Sequence, residues 1–207
     1  GYFYLDRLKK ISDKSLSMNN CVLFAPSWNY SKKNLFDNYA IIIIEHLLKN
    51  NFKVILRPHP EHFKRSLKII DEIKAKFSNN KNFVFDTSYS NLDSMEKAQI
   101  LITDNSAIDI EYMLIFKRPV IYLDYVNKIH NESFLFNELE TIEDEFKISF
   151  GEKLNIEKLD SLADFCFSIL KNKKVDIEKI KNFEKKFFAS EGKSASVAAN
   201  YLANNID

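Results

Sequence analysis

Five short runs of β-type apolar residues, separated by stretches of helical periodicity, fill the first 125 residues and leave few folds open. The runs lie at 21–25, 52–57, 83–85, 100–103 and 120–123, with helical patterns at 35–49, 62–77, 92–97 and 108–116. Continuous apolar runs suit strands buried on both faces, and their alternation with helices predicts βαβ units. The expected class is α/β: a Rossmann-like parallel sheet with helices on both faces. After Asp124 the strand signal stops. Helices are expected at 133–139, 156–170, 177–188 and 194–202, giving a helical C-terminal third packed on the same sheet. Polar hinges are expected at 172–174 and 191–193. Residues 1–20 read as a lead-in from an N-terminal domain outside this chain, and residues 21–207 as one domain.

Composition narrows the function. A net charge of +1 over 207 residues is not that of a general nucleic-acid binder. Cys21 starts an apolar strand and Cys166 sits in an apolar helix, so both read as buried small hydrophobes in a reducing compartment. The apolar run at 39–44 ends at Glu45, well short of the roughly 20 residues that span a bilayer.

The second run leads straight into Arg57-Pro58-His59-Pro60. Proline fixes its own φ and biases the residue before it toward extended backbone, so the chain cannot turn directly into a helix. Arg57 and His59 are thereby held at the strand end, where a cation and an imidazole suit an anionic ligand. Guanidinium forks onto phosphate oxygens, and an imidazole with an ordinary pKa of ~6.5 can be held protonated by a phosphate. His59 could then stabilise a leaving phosphate or give it a proton. The structural alternative is a turn histidine bonded to backbone. His46 and His62 are expected on helices and are assigned no role. His130 and Asp124, after the fifth run, form a weaker candidate pair.

In open parallel sheets, ligands bind beyond the C-terminal strand ends, where the strand order reverses. With an order of 3-2-1-4-5, that point falls between the first and fourth strands. Three polar loops converge there: Pro26-Ser27-Trp28-Asn29, Arg57 to Pro60, and Asp104-Asn105-Ser106. Asp104, Asn105 and Ser106 precede a helix and could simply cap it. Alternatively, a diphosphate could sit on the first-turn N–H groups with the Ser106 hydroxyl as a further donor. Glu111, five residues on, could accept from a ribose hydroxyl or be a solvated helix charge. No Walker loop, Gly-x-Gly-x-x-Gly, Gly-x-Ser-x-Gly or paired-cysteine spacing occurs. His59 and His62, separated by a proline and without thiolates nearby, make a poor zinc pair. No metal is expected.

These residues resemble a known family. Val22-Leu23-Phe24-Ala25-Pro26-Ser27-Trp28 is similar to the "VLYAPTW" segment of the CDP-glycerol glycerophosphotransferases, the teichoic-acid and capsule polymer transferases. Ile55 to Pro60 matches their "RPHP". Ile102-Thr103-Asp104-Asn105-Ser106-Ala107 resembles "ITDYSS", followed by the acidic position at Glu111 and by Lys117-Arg118-Pro119-Val120 for "KPV". Gly1 to Leu8 resembles "GYPxxDxL". Two positions depart from the pattern: Asn105 replaces the tyrosine, and Ala107 the second serine.

The resemblance implies the C-terminal, donor-nucleotide half of a GT-B fold. It implies that Arg57 and His59 face the donor pyrophosphate, with Ser27, Asp104, Asn105 and Ser106 around the nucleotide phosphates and Glu111 near the nucleotide sugar. His59 is the expected catalytic residue. The general base on the acceptor hydroxyl would be a second histidine in the N-terminal half. A CDP-linked donor would be substrate rather than cofactor, so no cofactor is expected. The acceptor would be a cell-surface polymer or lipid-linked chain, and the parent enzyme would lie peripherally at the inner face of the cell membrane. A nucleotide-sugar glycosyltransferase or epimerase half is the alternative on the same fold, and a non-catalytic binding module is a third reading.

Overall fold

The computed structural model describes residues 3–12, 16–29, 34–126, 141–172, 174–188, 190 and 192–205. The helix expected at 133–139 and His130 lie outside these residues. Six parallel strands form one sheet: β1 (Cys21–Phe24), β2 (Lys53–Leu56), β3 (Phe83–Phe85), β4 (Ile100–Thr103), β5 (Val120–Asp124) and β6 (Glu152–Asn155). Their order is β3-β2-β1-β4-β5-β6, with every neighbouring pair parallel. Chain direction across the sheet reverses between β1 and β4, as expected.

Side chains alternate along each strand, and the two faces build two cores. Val22, Phe24, Val54, Leu56, Ile100 and Ile102 pack against α2 (Leu35–Lys49), α4 (Leu67–Phe77) and α8 (Leu162–Asn172). Leu23, Ile55, Leu101, Val120 and Tyr122 pack against α1 (Phe3–Ile11), α5 (Leu92–Lys97), α6 (Ile108–Phe116), α7 (Ile142–Phe150) and α9 (Ile177–Phe187). A final helix, α10 (Ser194–Asn205), follows. No helix among the described residues is long and apolar enough to cross a membrane.

Two expectations need correction. The strand signal does not end at Asp124: Glu152–Asn155 pairs with β5 from Ile121↔Glu152 to Asp124↔Asn155. Only Leu154 of that edge strand is buried, so its sequence lacks an apolar run. The helix expected over 62–77 is broken at Ser66, where φ −119° and ψ 33° separate α3 (His62–Arg65) from α4. Ahead of the sheet, α1 buries Leu5 and Leu8 in the second core. Glu184 of α9 joins α1 to α6 by accepting from Lys9 and Lys117.

Candidate donor-binding site

All six strands are parallel, so the loops after β1, β2, β3 and β4 emerge on one edge. Backbone bonds carry the ladder past the strand ends: Ala25 N–H donates to Ile102 O at 2.9 Å, Arg57 N–H to Phe24 O at 2.9 Å, and Asp86 N–H to Leu56 O at 2.8 Å. The loops therefore start from fixed positions.

Across the switch point, Asp104 accepts twice from Ser27, from its N–H at 2.7 Å and its Oγ at 2.9 Å. Thr103 Oγ1 donates to Ala25 O at 2.8 Å one step deeper. The β1 and β4 loops are thus clamped by three bonds. Beneath them lies His62, fully buried, with Nε2 3.2 Å from Ser27 O, Nδ1 3.0 Å from Ser66 Oγ, and its ring 4.2 Å from that of Phe36. Burial pushes its imidazole below the usual range, more than the hydrogen bond to Ser27 and the charge of Asp37 raise it. A neutral His62 supports the loop that carries Ser27.

The helix after β4 is not capped by the residues suited to it. Its N-cap position is Ala107, which makes no side-chain cap bond. Asn105 and Ser106 are half-buried beside this end. Inside the first turn, Asp109 is 1% exposed and accepts from Tyr122 Oη and from its neighbour Ile110 N–H, both at 2.6 Å. Burial pushes its carboxyl up to about 6 despite those two bonds. Lys147 of α7 stands over the Tyr122 ring with Nζ 5.3 Å from the centroid. Burial lowers its ammonium, opposed by the charges of Asp109, Asp104 and Asp144.

His59 is exposed at the end of the Arg-Pro-His-Pro segment, and its Nδ1 accepts from Glu61 N–H at 3.2 Å. In the neutral ring the proton therefore sits on Nε2. Its ring lies 22° from parallel with Trp28 at 6.4 Å, and Arg65 covers Trp28 at 5.2 Å. Arg57 points along the edge toward the β3–α5 loop. Its terminal nitrogens bond Asp86 at 2.6 Å, Ser88 Oγ at 3.2 Å, Ser88 O at 3.0 Å and Tyr89 O at 3.3 Å. Burial raises the Asp86 carboxyl, but bonds from Ser88, Ser94 and Arg57 outweigh it and leave it below the ordinary value. Glu111 accepts from Asn91 of the same loop at 3.1 Å. Among the described residues, no group of three or more His, Cys, Asp or Glu could hold a metal ion.

The family model described as CDP-Glycerol:Poly(glycerophosphate) glycerophosphotransferase matches residues 6–204. The chain belongs to that family. A teichoic acid glycerol-phosphate primase of Bacillus subtilis (strain 168) is 26% identical to this glycerophosphotransferase-family chain over 133 residues, 63% of the chain and 32% of the primase. Two structures of the wall teichoic acid polymerase TagF share its fold. One has 19% identity and a TM-score of 0.54, over 99% of this chain and 48% of that one. The other, soaked with CDPG, has 20% identity and a TM-score of 0.52, over 99% and 47%. The chain spans about a third of the primase and about half of the polymerase.

Ser27, Asp104, Asn105 and Ser106 come together at the switch point of this family member. Arg57 and Glu111 join a neighbouring cluster built on the β3–α5 loop. Sequence reasoning missed His62, Asp86, Asn91 and Asp109. His62 had a readable signal, because 62, 66, 70, 73 and 77 recur at helical spacing and all five residues are buried.

Proposed function

We propose that this chain is the donor-binding half of a GT-B-type transferase that moves glycerophosphate from CDP-glycerol to a hydroxyl of a teichoic-acid-like or capsule acceptor. The observation carrying this reading is the Ser27–Asp104 clamp across the switch point, next to the N-terminus of α6, whose N-cap residue is an alanine. The positive end of the helix dipole at this N-terminus attracts phosphate. Family membership and the TagF structure soaked with CDPG support CDP-glycerol over other nucleotides.

In this reading Ser106, Asn105 and the first turn of α6 hold the diphosphate, and Glu111 meets the nucleotide sugar. The acceptor oxygen attacks the phosphorus bearing glycerol, a new P–O bond forms, and the P–O bond to CMP breaks. A base in an N-terminal half outside this chain takes the acceptor proton. His59, at the exposed end of the Arg-Pro-His-Pro segment, stabilises the departing phosphate or protonates it. Arg57, whose terminal nitrogens hold the β3–α5 loop, shapes the site, and Asp104 orders Ser27. The donor is already activated, so the reaction draws on no further cofactor. The acceptor enters with the other half, and the parent works peripherally at the inner face of the membrane.

Calorimetric titration of the chain with CDP and UDP tests this. Expected is binding of CDP with UDP weaker, and loss of binding in Ser106→Ala by about tenfold, the worth of roughly 1.4 kcal/mol. Absence of binding by either nucleotide at millimolar concentration overturns the reading. In the full-length parent, His59→Ala should lower the transfer rate about 100-fold or more, the scale of acid catalysis. Unchanged transfer would favour a non-catalytic module.

A further inference from the structure

β5 and β6 run parallel, so the chain between them must return to the edge of the sheet where strands begin. The helix α7 completes that return, with only Gly151 between its last residue, Phe150, and the start of β6 at Glu152. Its N-terminus therefore points toward the edge that carries the polar loops. Side chains on a helix tilt toward its N-terminus, which directs Lys147 to that edge. Phe146 and Phe150 are buried in the second core, and between them Lys147 Nζ stands 5.3 Å from the Tyr122 ring centroid. After burial, the strongest influences on this ammonium are the charges of Asp109 and Asp104. Asp109 lies in the first turn of α6, and Asp104 is one half of the Ser27 clamp. Lys147 is half-buried, and its ammonium makes no hydrogen bond or ion pair among the described residues.

We propose that Lys147 is a phosphate-binding residue of the donor site, an ammonium delivered from α7 to the diphosphate at the N-terminus of α6. The cation expected on the phosphates is already committed: the terminal nitrogens of Arg57 bond Asp86, Ser88 and Tyr89 in the β3–α5 loop. Asp104 and Asp109 meanwhile place two carboxyl groups beside the α6 end. A diphosphate seated there meets their repulsion unless a cation offsets it. Lys147 acts on both carboxyl groups from the far side of the switch point and has three N–H donors to give. A charge-assisted bond to a phosphate oxygen supplies the partner that the ammonium lacks, and partial burial strengthens that bond.

The inference rests on the donor-binding reading, and its test separates the two. Ligand-detected NMR titration of the chain would compare CDP with cytidine, which lacks the phosphates, into the millimolar range. Lys147→Met keeps an apolar side chain beside Tyr122 and removes the charge. It should raise the Kd for CDP about tenfold and leave that for cytidine within about twofold. Lys147→Arg, which restores the charge, should hold CDP within about threefold of the parent. Lys147→Gln repeats the measurement with a polar, uncharged end, so that the result does not depend on the folding of one variant. Equal losses for CDP and cytidine, or failure of both neutral variants to fold, would make Lys147 a structural residue and overturn the inference. Unchanged CDP affinity in the neutral variants overturns it as well and leaves the donor site standing. Failure of the wild-type chain to bind CDP overturns both.

Discussion

Asp109 shows how one carboxylate can act against stability while ordering a site. Its folded pKa of about 6 lies above its unfolded 3.8, so the protonated form is the one folding favours. The stability this contributes is complete below pH 3.8 and is lost as pH rises through 6. At one pH unit per 1.36 kcal/mol, the loss at neutral pH is at most about 3 kcal/mol. Asp109→Asn should therefore raise the urea midpoint at pH 8 and lose its advantage by pH 4. A variant no more stable than the parent at pH 8 would refute the argument. Asp86 has the opposite sign, because its depressed pKa supports the fold above 3.8 and releases it as pH falls. At this scale the sequence marked Ser27, Asp104 and Ser106 through their loops. It could not reveal His62 over Ser27 or Asn91 on Glu111, whose partners lie 35 and 20 residues away.

Among the elements, α7 and β5 meet without room to spare. A Cβ at Gly151 would stand 1.9 Å from Tyr122 Cε2 and 2.9 Å from Lys147 O, and the latter is backbone. Its φ of −83° is open to any residue, so the glycine is there for space. Gly151→Ala should push the Tyr122 ring off Asp109 and destabilise by about 1–3 kcal/mol, the range for overpacked cores. Thermal melting checks this: an unchanged midpoint would mean that α7 slides freely. The same junction explains why β6 escaped notice, since a strand with one buried residue has no hydrophobic period to read. The break at Ser66 escaped for a related reason. Helical spacing continues through it, and only tertiary contact between His62 and Ser27 turns the first four residues aside.

For the molecule as a whole, strand order was legible because polar loops after the first, second and fourth runs had to share an edge to be useful. The place of α1 was not, since an amphipathic turn near a chain start reads equally well as a linker. Leu8 is 3% exposed in the second core. Leu8→Ala should cost about 2–5 kcal/mol, as buried leucine truncations do. A loss below about 0.5 kcal/mol by chemical denaturation would mean that α1 adds nothing to this core.

The two outer strands of the sheet are its least buried members. β3 has three residues, and β6 carries Glu152, Lys153 and Asn155 around a single buried leucine. Open strand margins invite a second chain to add on, and short or charged margins discourage it. This chain should accordingly stay dispersed at the concentrations that calorimetry needs. Growth of the sheet is stopped from within the chain, and the polar loop edge, where no strand can be added, is left open to ligand.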